Sequence, residues 1–265
     1  MAPNATGEDL FPKKIYAPTA LPGDVTLGID AEGRHVNLAY SDERACIGIA
    51  GMVGTGKSVV LQSVIEQYAR GGAEVLYCGL KGIAPGTVDT TPNVVFVADD
   101  VDATIAAIDH VAGVIERREC VFTMTRTHRV VLVIDHVDTL VRELSDTERA
   151  HAVYDSIDYI IDHGTANDVV LILTSQTLKD LPTTRSASRG QVFGSAVVSG
   201  GRTGDTIPFP GAQTSSQRLP IGRCVYFTES GGTEFQAFMP TGETSTIKKR
   251  HVPLARHSVL VPDVG

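Results

Sequence analysis

Residues 45–68 constrain the chain more than any other stretch. Ala45–Ala50 (ACIGIA) is short, apolar and β-leaning, as a buried strand is, and Gly51–Ser58 (GMVGTGKS) then fits G-x-x-x-x-G-K-[ST]. Beyond it, Val59, Val60, Val64, Ile65 and Tyr68 follow the apolar spacing of a helix packed on one side. Glycines let backbone N–H groups turn inward around phosphate oxygens, and a helix N-terminus adds donors and partial positive charge. Lysine in this motif reaches the β- and γ-phosphates, and the hydroxyl after it ligates Mg²⁺. The candidate cradle is therefore Gly51, Val53, Gly54, Thr55, Gly56, Lys57, Ser58 and Val59. This strand–loop–helix order predicts a nucleotide-binding protein.

The 265 residues suffice for one sizeable core, and with 42% hydrophobic and 20% charged residues the class is soluble globular. No apolar run approaches the ~20 residues of a membrane span, and MAPNATGEDLFPKK lacks the charged-then-apolar pattern of a leader. The expectation is a cytoplasmic protein with no membrane segment of its own. Cys46, Cys78, Cys120 and Cys224 stand far apart, so neither a zinc knuckle nor a disulfide frame is expected. No H-E-x-x-H pair and no G-x-S-x-G elbow support hydrolase chemistry of those kinds. A net charge of −8 argues against coating DNA through phosphate contacts, but not against a ring touching DNA through a few loops.

Three regions are expected: an extended proline-bearing arm over 1–24, a domain over 25–240, and a tail over 241–265. The tail holds Lys248-Lys249-Arg250-His251 and Arg256-His257, which suit either a nucleic-acid or partner contact or a solvated tail. Val25–Asp30 and Arg34–Tyr40 predict a hairpin covering a sheet edge, and Glu74–Cys78 and Val94–Val97 predict two further strands. Asp99–Arg118 predicts a helix capped by Asp100 or Asp102, with a stripe of Ile105, Ile108, Val111, Ala112 and Ile115 and a solvated charged end at Glu116–Glu119.

Val130–Ile134 is a run of β-formers suited to a parallel strand buried on both faces, and Asp135 follows at once. A carboxylate there lies where open α/β sheets bind ligands, so Asp135 either holds Mg²⁺ or starts a turn; the glycine loop upstream favours the metal. A helix over Ala150–His163 and a strand over Asp168–Leu173 come next. The strand ends in Thr174-Ser175-Gln176, where Gln176 suits sensing a γ-phosphate or orienting water, or simply caps the strand. Residues 177–217 turn to Ser, Thr, Gly, Pro and Arg around an apolar Ala196–Val198, with Arg185, Arg189 and Arg202 as candidate contacts to nucleic acid or a neighbouring subunit's phosphate. Arg223–Thr228 and Glu234–Met239 predict a closing hairpin.

In this order the features resemble the FtsK/SpoIIIE family of P-loop motor proteins, over roughly residues 27–238. Leu27-Gly-Ile-Asp30 with Gly33 resembles its LG-x-D-x-x-G lead-in, and Leu80-Lys81-Gly82 its PKG. Val97–Asp100 and the helix ending Glu116-Arg117-Arg118 resemble its TD…EMERRY segment, Leu173–Gln176 its L-A-T-Q, and Leu219–Arg223 with Tyr226 its LPGRG…Y. The resemblance implies an α/β, RecA-like P-loop NTPase core with a mostly parallel central sheet flanked by helices. It also implies hexameric rings that hydrolyse ATP with Mg²⁺ at subunit interfaces and move a polymer. That polymer is double-stranded DNA in most relatives; in the type VII secretion branch the partners are secreted proteins.

Three departures stand out. The family's Asp-Glu pair is Asp135-His136 here, so His136 becomes the candidate base, with Asp138 and Glu143 as nearby carboxylates. The arginine-bearing segment is altered, leaving Arg202 offset as the candidate trans arginine. The expectation is also a motor core alone, with neither membrane anchor nor winged-helix tail.

Overall fold

The computed structural model describes residues 25–38, 45–81, 91, 93–120, 128–145, 148–177, 192–200 and 219–240. The arm over 1–24, the tail over 241–265, and Arg185, Arg189 and Arg202 lie outside the described residues.

Ten strands form one sheet in the order β2-β1-β10-β9-β8-β3-β7-β6-β4-β5. They are β1 (Thr26–Ile29), β2 (His35–Asn37), β3 (Cys46–Gly51), β4 (Glu74–Gly79), β5 (Val94–Ala98), β6 (Val130–Asp135), β7 (Val169–Ser175), β8 (Ser195–Ser199), β9 (Arg223–Thr228) and β10 (Gly231–Ala237). Strands β5, β4, β6, β7, β3 and β8 run parallel, and β9, β10, β1 and β2 continue the sheet antiparallel. The expected mostly parallel sheet flanked by helices is thus observed.

Alternation along the strands builds two cores. Val131 and Val133 of β6 point to one face with α1 (Lys57–Arg70), and Leu132 and Ile134 point to the other. That second face carries α2 (Val101–Cys120), α3 (Val137–Leu144) and α4 (Arg149–His163). A strand sandwiched between helix layers has no solvated face, which is why β6 and β7 read as unbroken apolar runs. The expected stripe on α2 is buried, and the cap is Asp100, whose Oδ1 accepts from Ala103 N–H at 2.7 Å.

The charged end of α2 is not simply solvated. The Arg118 guanidinium donates to the carbonyls of His128, at 2.7 Å, and Asn167, fastening the entries to β6 and β7. Glu119 accepts from Tyr159 O–H at 2.8 Å and sits 2.9 Å from His163 Nδ1, which ties α2 to α4.

At the antiparallel end, the expected hairpin of β1 and β2 extends the sheet and is fixed from below by α1. The Gln67 side chain, buried in α1, accepts from Thr26 N–H and donates to Thr26 C=O, both at 2.8 Å. Buried amides cost free energy unless paired, so this two-way match fixes where the hairpin sits. The four cysteines are free thiols; burial pushes those of Cys78 and Cys224 up to about 12, and Cys120 is exposed.

Candidate nucleotide site at the carboxyl edge of the sheet

Parallel register brings the strand ends to one edge: Gly79 opposite Asp135, Ala50 opposite Ser175, and Gly51 opposite Ser199. Between β3 and α1 the chain turns through Met52–Gly56, and two glycines make the turn possible. Gly54 has φ +80 and Gly56 φ +102, conformations that side chains with a Cβ rarely adopt. A Cβ on Gly54 would meet no atom within 4 Å, so its place facing solvent is open. Helix α1 begins at Lys57; the N–H groups of Val59 and Val60 donate to Gly56 C=O at 3.0 and 3.1 Å, and Ser58 beside Lys57 is exposed.

The loop is braced from the β8 side. Thr55 Oγ1 donates to the Met52 carbonyl at 2.8 Å and lies 3.1 Å from Ser199 Oγ. Thr55 C=O accepts from Gly222 N–H at 3.2 Å. Such a brace fixes the shape of the loop before any ligand arrives, which lowers the ordering cost of binding.

On the other side, Lys57 crosses to Asp135. The ammonium lies 3.4 Å from Asp135 Oδ1 and 3.5 Å from Thr174 Oγ1, and all three residues are buried. Thr174 Oγ1 donates to Asp135 Oδ1 and accepts from His136 N–H at 3.2 Å, so one hydroxyl serves both residues. The buried Tyr77 on β4 donates to Asp135 Oδ2 at 3.0 Å. Both carboxylate oxygens are therefore oriented. At 3.4 Å, however, the Lys57 contact is longer than a well-formed charge-assisted hydrogen bond, about 2.7–2.9 Å.

Asp135 and Thr174 occupy the tips of neighbouring strands, and His136 is the first residue beyond β6. Its backbone is left-handed (φ 63, ψ 53), which turns the chain straight from β6 into α3 at a cost of roughly 1–2 kcal/mol for a residue with a Cβ. Burial first, then the Lys57 charge, pushes the His136 imidazole below its ordinary pKa, and it is neutral at pH 7. Its Nδ1 is buried without a hydrogen bond and lies 3.8 Å from Asp138 Oδ1. Burial opposes the Asp138 carboxylate, but hydrogen bonds from Lys81 Nζ and Ser175 Oγ, both at 2.9 Å, outweigh it and keep its pKa below the usual range. Of the two carboxylates named beside His136, Asp138 adjoins it; Glu143 is exposed and pairs with Arg142 at 3.7 Å.

The structure thus brings Lys57, Asp135 and His136 together around Thr174. Gln176 lies one residue past β7 and is half-buried, and Val59 stands in the first turn of α1. Sequence reasoning did not single out Thr174 or Tyr77 for the site. Thr174 was visible as a polar residue ending a buried strand; Tyr77 carries no such signal, since the register of β4 on β6 alone delivers its hydroxyl.

The donor set fits a triphosphate with one hard divalent cation. Among the described residues no cluster of three or more His, Cys, Asp and Glu side chains could hold a metal by itself. Ser58 and Asp135 instead offer hard oxygens of the kind Mg²⁺ takes from a protein when substrate phosphates complete its shell. Thr174→Val should lower stability by about 1–3 kcal/mol, because the His136 N–H and one Asp135 oxygen lose their shared partner. Denaturant unfolding measures this, and an unchanged midpoint would deny the hydroxyl that role.

No protein-family model and no curated sequence matches the chain. Solved structures do. The ATPγS-bound monomer of the pCW3 conjugation coupling protein TcpA superposes with a TM-score of 0.71 at 18% identity, covering 90% of this chain and 73% of that one. The cytoplasmic domain of the Thermomonospora curvata type VII secretion ATPase EccC gives 0.63 at 15% identity over 86% of this chain, which spans 28% of that one. EssC (ATPases 2 and 3) from Geobacillus thermodenitrificans gives 0.62 at 15% identity over 90% of this chain and 49% of that one. These neighbours are FtsK/SpoIIIE-type P-loop ATPases, so the fold expected from the sequence resemblance is the fold found.

Proposed function

We propose that the chain is an ATP-binding and ATP-hydrolysing motor domain of the FtsK/SpoIIIE type. The observation that carries this is the loose Lys57–Asp135 pair, oriented by Thr174 and Tyr77 beside an open glycine loop. Triphosphate on the backbone N–H groups of Gly54–Ser58 draws Lys57 off Asp135. Ser58 and Asp135 would hold Mg²⁺, which would supply positive charge to the phosphate oxygens. His136, neutral and one residue past Asp135, takes the proton of the attacking water, and Gln176 orients that water. Arg202 of a neighbouring subunit completes the site in a hexameric ring acting in the cytoplasm on double-stranded DNA.

The order of motifs supports DNA as the polymer. The TcpA neighbour is a conjugation coupling protein, whereas the EccC neighbour is a secretion ATPase, so a protein substrate is the competing choice. His136 in place of glutamate favours a second reading, an ATP-gated subunit that turns over slowly or not at all. ATPase rates with and without linear duplex DNA separate these readings. The motor reading expects the rate to rise severalfold with DNA and rings to form under electron microscopy. A rate that stays flat contradicts the DNA assignment.

A further inference from the structure

Beside the phosphate loop stands an apolar residue that phosphate chemistry leaves unused. Arg223 N–H donates to Pro220 C=O at 3.0 Å, closing a turn with Ile221 at its corner and Gly222 at φ +80. This turn is fastened on two sides. The Gly222 N–H donates to Thr55 C=O at 3.2 Å, and its carbonyl accepts from Ala237 N–H at 3.0 Å and Gln236 Nε2 at 3.1 Å. Gly56 comes so near that a Cβ on it would stand 3.4 Å from Gly222 Cα. On this rigid corner Ile221 is 80% exposed, and on the adjoining loop Met52 is 51% and Val53 82% exposed. Among the described residues the other exposed large apolar side chain is Met239, at 36%.

The two flanks of the loop differ in kind. Toward β7 and β6 stand Thr174, Asp135 and Lys57; toward β8 and β9 stands Ile221. A nucleoside triphosphate has the same polarity, with charge at one end and an aromatic face at the other. We propose that Ile221 is the wall on which the base of a bound purine nucleoside triphosphate lies. The proposal rests on the triphosphate reading above and adds the orientation and the base contact. Gly222 spends its N–H on Thr55 and its carbonyl on Gln236 and Ala237, so the contact this corner offers the base is the apolar side chain of Ile221. Contact of this kind treats adenine and guanine alike.

Calorimetric titration of the full chain with Mg·ATP, Mg·GTP and Mg·tripolyphosphate tests it. Ile221→Ser, which adds no charge beside the phosphates, should weaken ATP and GTP about tenfold each, from loss of apolar contact, and leave tripolyphosphate unchanged. Ile221→Phe should keep ATP affinity. ATP binding untouched by Ile221→Ser overturns the proposal, as does an equal loss for tripolyphosphate or a loss confined to one purine. If the wild-type chain binds tripolyphosphate no more weakly than ATP, the base contact alone is refuted. If it binds neither, the triphosphate reading itself fails and takes the proposal with it.

Discussion

Lys57→Ala is expected to weaken ATP binding by about two orders of magnitude, roughly 3 kcal/mol, the upper range for a hydrogen bond to a charged group. The lysine is buried at the head of α1, and its ammonium rests 3.4 Å from Asp135. Nothing else described on the loop brings a full positive charge to the phosphates. Substitution has a second consequence in the free protein, because Asp135 stays buried with only the Thr174 and Tyr77 hydroxyls to stabilise its charge. A fall in stability of about 1–3 kcal/mol should accompany the loss of binding. Affinity is measured by titration with a fluorescent ATP analogue, and a thermal melt shows that the variant remains folded. A folded variant with unchanged affinity would place the nucleotide elsewhere.

His136→Ala is expected to lower kcat about 100-fold, the lower bound for losing a general base, while ATP affinity changes only severalfold. Geometry explains the division of labour. In the proposed site Lys57 and the loop take the phosphates, whereas His136 follows Asp135 with its backbone N–H on Thr174 and its ring half-buried. Burial and the nearby Lys57 charge keep the imidazole in its basic, neutral form at pH 7. His136→Glu should then fall below wild type, since the surroundings are arranged for a neutral ring. A large rise in that variant would mean a site that has lost its base and serves as an ATP-gated switch. Steady-state turnover of the two variants decides between these outcomes.

How far the sequence disclosed this arrangement depended on how local each feature is. The glycine loop is set by contiguous residues whose dihedrals follow from Gly54 and Gly56, and it was legible outright. Strands β6 and β7 were legible because burial on both faces leaves an uninterrupted apolar run. Helix α3 was not, although Val137, Leu140 and Leu144 have helical spacing; at eight residues it is too short to stand out from the turn after Asp135. The antiparallel end was legible only as hairpins. Nothing local in β1 specifies β10 as its neighbour, and that choice depends on tertiary contacts such as Gln67 with Thr26. Thr174 and Tyr77 reach Asp135 through strand register, which pairs Ile134 with Leu173 and Tyr77 with Val133. Arg118 was read as solvated because its carbonyl partners lie in segments far along the chain.

Each reading of function here requires that triphosphate sit on Gly54–Ser58 with Lys57 released from Asp135. A crystal structure grown with Mg²⁺ and a non-hydrolysable ATP analogue tests this most directly. It should show phosphates on those backbone amides, Lys57 turned to them, and the cation between Ser58 and the Asp135 side. A nucleotide bound elsewhere, with the Lys57–Asp135 pair intact, would contradict the account.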